Sequence, residues 1–289
     1  MKKILITGSS GRLGSYLIDN LKKYFKVYHL GKTERSIDLS NLKSVTTYLI
    51  NLKPDIIINC ASLTDIEICQ YDKKKSKKIN FDIVKNILDV KKKHKLHFKL
   101  IQISTDHMYD SKNFFKNHER SKPIINNTYT EHKLAAEKIC IKTKSLVLRV
   151  NFFGLSKNRN RPTLSDFLYK SARLKKHLNL FNDVYFSPLS LKTLTIILKK
   201  IILKKNIYGL FNIGSKKGLS KKEFALLLLS KFKNLKFRNI SVDSVSLTKR
   251  SKNMKMNVNK FERIFKISLP DLKKEIKKEV TNYEKNYNK

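Results

Sequence analysis

The first fourteen residues constrain the fold of this chain more than any other stretch. An apolar run at residues 4–6 is typical of a buried parallel strand, and Gly8, Gly11 and Gly14 follow at three-residue intervals. Leucines at helical spacing over residues 13–21 then indicate an amphipathic helix. A strand, a glycine turn and a helix in this order bring free backbone N–H groups and the positive end of the helix dipole to a pyrophosphate. The opening therefore predicts a dinucleotide site rather than an ordinary glycine-rich loop.

Apolar runs alternate with helical patterns through the first half of the chain. Strands are expected at residues 27–30, 54–62, 98–104 and 145–149, and helices at residues 38–51, 80–93 and 128–142. This alternation predicts an α/β fold with a doubly wound, Rossmann-like parallel sheet. We expect a nucleotide-binding domain over residues 1–153 and a smaller, mainly substrate-binding region over residues 154–289, from which about 185–215 return to the first domain.

Capping signals mark where several helices are expected to begin. Asp38 or Ser40 is a candidate N-cap for the helix at 38–51. Residues 128–131 and 220–223 each have the form of a capping box, in which Ser or Thr precedes Glu by three positions. In the second half of the chain, apolar periodicity predicts helices at residues 190–204, 223–232 and 270–286.

Composition indicates a globular protein. Of the 289 residues, 40% are hydrophobic, and no apolar run approaches the ~20 residues that span a bilayer. The apolar run behind the basic start is too short for a signal peptide, so we expect a cytoplasmic protein without membrane contact. Cys60, Cys69 and Cys140 show no metal-ligand spacing, and we expect buried apolar thiols and no metal site.

The formal net charge of +40 raises the question of nucleic-acid binding. The lysines, however, are spread along the whole chain in short runs and form no basic arm or aromatic-studded basic face. Frequent Asn and Ile indicate a general drift in residue usage instead. We therefore expect no nucleic-acid partner, and attraction of an anionic substrate is the second interpretation of the charge.

The stretch after the second predicted strand bears on the choice between NAD and NADP. In dinucleotide-binding folds, an Asp or Glu about 20 residues past the glycines binds the ribose 2′-hydroxyl of NAD. Residues 30–33 contain no carboxylate, and Glu34 comes slightly later. Lys32 and Arg35 are suited to a 2′-phosphate, so NADP is favoured, with NAD as the alternative.

The candidate chemistry lies between the fourth and fifth predicted strands. Tyr129 and Lys133 are four residues apart on one face of a predicted helix. A nearby ammonium favours the phenolate and lowers the phenol pKa from about 10, which makes Tyr129 a usable general acid for a carbonyl that receives a hydride. A hydroxyl from Ser104 or Thr105, at the end of the preceding strand, is placed to polarise the same oxygen. Tyr and Lys four residues apart are common on solvated helix faces. The prediction therefore depends on where this pair lies, after the glycine turn and after a strand that ends in hydroxyl residues.

Six segments in a fixed order resemble one known family. They are TGSSGRLG at 7–14, NCASLTDIE at 59–67, STDHMYD at 104–110, YTEHKLAAE at 129–137, LRVNFFG at 148–154 and GLFNIG at 209–214. The set extends over nearly the whole chain. It is similar to the extended short-chain dehydrogenases, and within them it most resembles the dTDP-4-dehydrorhamnose reductase group of nucleotide-sugar reductases.

The resemblance implies a catalytic set of Thr105, Tyr129 and Lys133. Thr105 would hold the carbonyl, Tyr129 would donate the proton, and Lys133 would bind the nicotinamide ribose and lower the pKa of Tyr129. The cofactor-binding residues implied in the same way are Gly8, Ser10, Gly11, Arg12, Leu13, Gly14, Asp38, Leu39, Ala61 and Ser62, together with Tyr129 and Lys133. The substrate-binding residues implied are Ser104, Thr105, Asp183 and Pro188.

Two segments depart from the family pattern. Residues 183–188 read DVYFSP in place of Asp-Gln-x-Gly-x-Pro, which leaves the identity of the sugar open. Residues 106–109 read DHMY in place of Asp-Tyr-Val-Phe. Residues 249–252, KRSK, are suited to neutralise a nucleotide diphosphate, although a run of charges is more often a solvated surface.

The resemblance implies NADPH-dependent reduction of a nucleotide-activated 4-keto-6-deoxy sugar during the synthesis of surface polysaccharide or O-antigen precursors. The partner would be a nucleotide-diphosphate sugar, and the enzyme a homodimer. One alternative is an epimerase or dehydratase on the same scaffold, but the dehydratase pattern is incomplete because no Glu follows Asp106. The other is a non-catalytic, NADP-binding regulatory subunit, against which the intact Thr-Tyr-Lys set argues.

Overall fold

The computed structural model describes residues 1–31, 37–112, 115–158, 160–245 and 248–287. Within these residues the strands are β1 (Lys3–Thr7), β2 (Lys26–Leu30), β3 (Ile56–Asn59), β4 (Lys99–Thr105), β5 (Leu146–Val150), β6 (Phe152–Phe153), β7 (Leu178–Phe181), β8 (Tyr185–Phe186), β9 (Leu189–Ser190), β10 (Gly209–Ile213), β11 (Leu219–Ser220) and β12 (Phe237–Ile240). The α-helices are α1 (Arg12–Leu21), α2 (Leu42–Leu52), α3 (Ile66–Tyr71), α4 (Lys73–Lys77), α5 (Ile83–Lys93), α6 (Thr128–Lys142), α7 (Leu164–Arg173), α8 (Leu191–Ile201), α9 (Lys221–Leu228), α10 (Asn259–Phe265) and α11 (Leu272–Tyr287).

A six-stranded sheet has the strand order β10-β5-β4-β3-β1-β2. β1 pairs in parallel with β2 and β3, and β3 pairs in parallel with β4. The predicted α/β fold with a Rossmann-like parallel sheet is confirmed. The strand order reverses beside β1, because the chain passes from β1 to β2 on one side and then returns to place β3 on the other. In open α/β sheets, ligands bind outside the carboxyl ends of the strands at such a switch point.

The chain divides into two compact units. The first consists of Met1–Thr105, Ile125–Arg149 and Thr195–Phe211, and the second of Asp106–Ile124, Val150–Leu194 and Asn212–Lys289. The sequence predicts a boundary at residue 153 and a returning segment at about 185–215. In the structure the returning segment is shorter, and Asp106–Ile124 already belongs to the second unit. Which ligand each unit binds stays a prediction.

Each unit has its own apolar core. In the first unit, side chains of the sheet pack against those of α2, α5 and α6, among them Leu5, Ile57, Leu100, Val45, Leu49, Val84, Leu88, Ala136 and Val147. In the second unit, Tyr169 of α7 lies in one cluster with Phe224 of α9 and with Ile276 and Tyr283 of α11.

Two of the expected N-caps were wrong by one or more residues. Asn41, rather than Asp38 or Ser40, caps α2 by accepting a hydrogen bond from the Ser44 N–H. Asn127 caps α6 in a capping box with Thr130, one residue ahead of the expected Thr128 and Glu131 pair. The predicted box of Ser220 and Glu223 is confirmed at the start of α9.

The helix expected from residue 80 begins differently. A π-helical segment, Lys78–Asp82, leads into α5, which starts at Ile83.

In the described residues, no helix combines the length and apolarity needed to cross a membrane. The same residues contain no group of three or more His, Cys, Asp or Glu side chains arranged to hold a metal ion.

Candidate active site

The turn after β1 is built from glycines because the backbone comes too close for side chains. Gly8 has a φ of +67°, and a Cβ there would lie 2.7 Å from the Ala61 nitrogen. A Cβ at Gly14 would lie 2.4 Å from the Gly8 carbonyl oxygen. The N-cap of α1 is Gly11, which has no side chain to cap the start of the helix. This cradle fits the pyrophosphate of a dinucleotide.

The loop after β3 lies beside this turn and is held by a buried amide. The Ala61 N–H donates to Thr7 Oγ1 at 3.4 Å, which joins the loop to the end of β1. Ser62 Oγ donates to Asn80 Oδ1 at 2.7 Å, and Asn80 Nδ2 donates to the Leu63 carbonyl at 3.0 Å. Sequence reasoning missed Asn80, because the π-helical segment that carries it breaks the helical period.

The region expected to hold the adenosine is only partly within the described residues. Leu39 is buried, and its carbonyl accepts a hydrogen bond from Asn86 Nδ2 at 3.2 Å. Asp38 is exposed and accepts from the Ser40 N–H at 2.9 Å and from Lys78 Nζ at 3.0 Å. The bond from the Ser40 hydroxyl, followed by that from Lys78, holds the Asp38 pKa below its usual value. Lys32 and Arg35, the residues expected at the 2′-phosphate, lie outside the described residues.

Tyr129 and Lys133 are not on a solvated helix face. Tyr129 is 6% exposed and lies in an apolar cluster with Ile66 and Cys69. Lys133 is 3% exposed, and its Nζ donates to the Ile103 carbonyl at 2.7 Å. Because Ile103 directly precedes the two hydroxyl residues at the end of β4, this bond brings α6 to the carboxyl end of that strand.

The electrostatics around Lys133 leave its positive charge available. Burial lowers the pKa of the Lys133 ammonium to about 8, and the negative charge of Glu137 opposes that shift. Glu137 itself is held in a two-bond ion pair by Arg149. Within the described residues, Lys133 Nζ donates to the Ile103 carbonyl alone, and two of its three N–H donors remain for a ligand.

The hydroxyls at the end of β4 are buried beside this lysine. Ser104 and Thr105 are each 5% exposed. Ser104 Oγ has no hydrogen-bond partner in the described part of the chain, which is unusual for a buried hydroxyl and indicates a polar group meant for a ligand. Lys133 is thus fixed beside two buried hydroxyl residues, and Tyr129 lies one turn earlier on the same helix. A phenol, a cation and a hydroxyl are suited to reduce a carbonyl with a nicotinamide.

The sequence of the whole chain decides the family. Residues 1–285 match the RmlD substrate binding domain family. The chain belongs to this family. Among RmlD relatives, a dTDP-4-dehydrorhamnose reductase from Aggregatibacter actinomycetemcomitans is 24% identical over 302 residues, which cover 96% of this chain and 98% of the relative. The spore coat polysaccharide biosynthesis protein SpsK of Bacillus subtilis is 26% identical over 218 residues, which cover 74% and 75% of the two chains.

A solved structure shares the fold of this RmlD-family chain. The dTDP-4-dehydrorhamnose reductase of Bacillus anthracis, in complex with NADP, superposes with a TM-score of 0.86 and 22% identity. The superposition covers 98% of this chain and 100% of the other. At this level of identity the likeness shows the fold.

The two substrate-side residues implied by the RmlD resemblance lie in the second unit. Asp183 accepts from Ser241 Oγ at 2.6 Å and from the Val242 N–H at 3.0 Å, and Lys252 Nζ lies 3.2 Å from its carboxylate. Pro188 is buried between β8 and β9. Much of the hydrogen-bonding capacity of Asp183 is therefore used within the unit, and a substrate role for either residue stays a prediction.

The basic run at residues 249–252 is partly built into the second unit. Lys252 forms ion pairs with both Asp183 and Asp243, so its charge is neutralised within the chain. Ser251 Oγ donates to the His107 carbonyl at 2.8 Å. Burial, together with the positive charges of Lys221 and Arg250, lowers the pKa of His107 to about 3, so this ring stays neutral.

Sequence reasoning also missed three polar residues inside the sheet of this RmlD-family chain. They are Thr7, Asn59 and Gln102, on the neighbouring strands β1, β3 and β4. A polar residue within an otherwise apolar strand was the available signal, because burial there requires a hydrogen-bond partner.

Proposed function

We propose that this protein is an NADPH-dependent reductase of a nucleotide-activated 4-keto-6-deoxy sugar. One observation carries the proposal: the buried Lys133 ammonium, on the same helix face as Tyr129, is fixed to the carboxyl end of β4 beside Ser104 and Thr105. The proposal is supported by family membership and by relatives named dTDP-4-dehydrorhamnose reductase.

The glycine turn, Ala61, Ser62 and Lys133 would hold the cofactor. NADPH, when bound, would supply the hydride that the carbonyl carbon receives, and would be oxidised to NADP⁺. Tyr129 gives its phenolic proton to the carbonyl oxygen, so the ketone becomes an alcohol, and the phenolate is later reprotonated from water. The Thr105 hydroxyl donates a hydrogen bond to the same oxygen as its negative charge grows. The positive charge of Lys133 stabilises the phenolate and binds the nicotinamide ribose.

The acid next to Thr105 in the sequence is bonded within the second unit. Asp106 is fully buried, and its Oδ2 accepts a hydrogen bond from Asn151 Nδ2 at 2.8 Å. No Glu follows Asp106, so the acidic pair expected of a dehydratase is incomplete. The assay below separates a dehydratase from a reductase.

The test is to incubate the protein and NADPH with a panel of 4-keto sugar nucleotides, including the dTDP-linked 6-deoxy sugar. We expect stoichiometric loss of absorbance at the NADPH maximum and one alcohol stereoisomer for each accepted sugar. Turnover of a sugar without net NADPH loss would identify an epimerase or dehydratase. NADPH binding without any sugar conversion would identify a regulatory subunit.

Several finer expectations belong to the same proposal. NADP is preferred to NAD, which comparison of the two reduced cofactors in the same assay tests. The product is used for surface polysaccharide, and the enzyme works in the cytoplasm as a homodimer without nucleic-acid or membrane partners. These expectations stay predictions.

A further inference from the structure

A line of buried polar side chains crosses three neighbouring strands of the central sheet. Thr7 of β1, Asn59 of β3 and Gln102 of β4 are each at most 1% exposed. The Thr7 hydroxyl donates a hydrogen bond to Asn59 Oδ1. Asn59 Nδ2 then donates to Gln102 Oε1 at 2.7 Å. The line thus begins at the residue before Gly8 and runs perpendicular to the strands toward β4.

The line ends at the acceptor of the catalytic lysine. Gln102 Nε2 donates to the Ile103 carbonyl at 2.8 Å, and Lys133 Nζ donates to the same carbonyl at 2.7 Å. A carbonyl oxygen has two lone pairs, so it accommodates both donors. Every bond from the Thr7 hydroxyl to the Ile103 carbonyl has a donor and an acceptor in a consistent direction.

Stability alone does not account for amides in this place. Their neighbours Ile58 and Ile101 are fully buried and apolar, as strands covered on both faces usually are. Replacing a buried polar pair by apolar groups of the same shape is often nearly neutral for stability. A fully satisfied buried network does, however, restrict its members to one arrangement. Gln102 Nε2 is the second donor on the Ile103 carbonyl, so it helps to orient the oxygen that Lys133 binds.

We propose that Gln102 is a positioning residue for Lys133, which it holds in place through the shared Ile103 carbonyl. Gln102 makes no contact with the reacting atoms in this scheme. Through Asn59 and Thr7 it also ties the position of Lys133 to the glycine turn, so that the two cofactor-binding parts keep a fixed separation. The kinetic part of the inference rests on the proposed reductase function, whereas its cofactor-binding part does not require sugar turnover.

The charged and titratable groups around Lys133 set the expected pH dependence. They are Glu137 and Cys140 on α6 itself and Cys60 after β3, while Arg149 of β5 binds Glu137. The ammonium form of Lys133 binds the ribose, so NADPH affinity falls as pH rises through the midpoint of its titration. A well-oriented carbonyl favours the ammonium form, and so does any added negative charge nearby.

Two substitutions at Gln102 therefore move this midpoint in opposite directions. Gln102→Met removes the donor that orients the Ile103 carbonyl at nearly constant volume, so the midpoint moves to lower pH. Gln102→Glu places a carboxylate near Lys133, and the midpoint moves up by about one pH unit. We expect NADPH dissociation constants to rise about tenfold or more in the Met variant, because misplaced binding groups lose much of their effect.

The experiment is NADPH titration by fluorescence from pH 6 to pH 10, followed by kcat over the same range. Asn117→Leu is the matched control, because Asn117 is also a buried amide and donates to the Asn253 and Lys255 carbonyls of the second unit. This control is expected to lower the thermal midpoint of unfolding without moving the pH midpoint of NADPH binding.

Each outcome decides the inference. Midpoints of both Gln102 variants that coincide with the wild-type midpoint would overturn it, whatever the loss of stability. If Gln102→Met fails to fold, the upward shift in Gln102→Glu decides alone. A wild-type protein that binds NADPH but reduces no sugar would refute the reductase, and the binding midpoints would still test Gln102. A wild-type protein that does not bind NADPH would overturn both.

Discussion

Arg149 of β5 donates two hydrogen bonds to Glu137 of α6, from Nε to Oε1 at 2.9 Å and from Nη2 to Oε2 at 2.6 Å. The two side chains are 2% and 1% exposed. An ion pair this deeply buried has a large desolvation cost, which the paired geometry offsets. It also keeps the carboxylate nearest to Lys133 on α6 from neutralising the lysine directly.

Glu137→Ala is expected to lower the free energy of unfolding by about 3–5 kcal/mol, because it leaves the guanidinium of Arg149 buried without this carboxylate. Arg149→Met is expected to cost a similar amount. The double substitution Glu137→Leu with Arg149→Met should cost far less than the sum of the two, since it buries no charge. Urea unfolding of the four proteins measures the difference, and strictly additive losses would contradict this account of the pair.

Tyr129→Phe is expected to lower kcat by about a hundredfold to ten-thousandfold, because it removes the proton donor and little else. The NADPH dissociation constant should change little, since the ring keeps its packing with Ile66 and Cys69. Steady-state NADPH oxidation and fluorescence titration measure the two quantities. Tyr71→Phe is the control, because Tyr71 is almost fully exposed and is expected to leave both unchanged. Normal turnover in the Tyr129→Phe variant refutes the assigned acid.

The pKa of Lys133, lowered by burial to about 8, predicts that NADPH affinity weakens as pH rises through this value. Above it the side chain is increasingly neutral and loses its charge-assisted bonds to the ribose. Lys133→Met should bind NADPH weakly at pH 7 and show no corresponding pH dependence. Lys138→Met, an exposed lysine on the same helix, is the control and should behave as the wild type. If the NADPH affinities of Lys133→Met and the wild type change with pH in the same way, the assignment of Lys133 is wrong.

The same burial predicts the opposite trend for the stability of the ligand-free protein. The ordinary pKa of a lysine is 10.5. Between about pH 8 and pH 10.5, the folded chain has therefore lost the Lys133 proton while the unfolded chain still holds it. Stability rises with pH wherever the unfolded state binds more protons. The free energy of unfolding of Lys133→Met minus that of the wild type should therefore be larger at pH 7 than at pH 10.5. The expected change is roughly 2–3 kcal/mol, since each pKa unit equals about 1.4 kcal/mol. Urea unfolding of both proteins at the two pH values measures the difference, and one that does not change with pH contradicts the prediction.

Local signals predicted the sheet and one helix start well. The apolar runs at β1, β3, β4 and β5 lie where expected, because strands buried on both faces are apolar throughout. The start of α9 was found because Ser220 and Glu223 are the only box-forming pair in that stretch. At α6, Asn127 and Thr128 are both good caps, and only the tertiary position of the helix decides between them.

The polar framework of the candidate site could not be predicted from local patterns. Thr7, Asn59 and Gln102 are 43 or more residues apart along the chain, and their bonds exist only because β1, β3 and β4 are neighbours in the sheet. The apolar spacing that predicts α6 likewise does not predict the ion pair between Glu137 and Arg149. The change of unit at Asp106 follows from packing alone, since no glycine or proline marks it.

One phenol of the last helix is bonded to a carboxylate inside the second unit. Tyr283 of α11 donates to Asp166 Oδ1 at 2.6 Å and lies 3.0 Å from Ser165 Oγ, and its ring stacks on Tyr169 with a centroid separation of 4.6 Å. Burial, reinforced by the negative charge of Asp166, raises the pKa of this phenol well above its usual value. The proton therefore stays on the phenol, where it is needed to bind the carboxylate.

Tyr283→Phe keeps the stacked ring and removes only the hydroxyl, so it is expected to lower the free energy of unfolding by about 1.5–3 kcal/mol, the usual contribution of a hydrogen bond to a charged group. Tyr169→Phe is the matched control, because Tyr169 is a buried partner in the same stack whose hydroxyl has no carboxylate partner in the described residues. Urea unfolding of the two variants separates the hydrogen bond from the packing of the rings. Equal losses in both variants would show that the bond to Asp166 contributes nothing of its own.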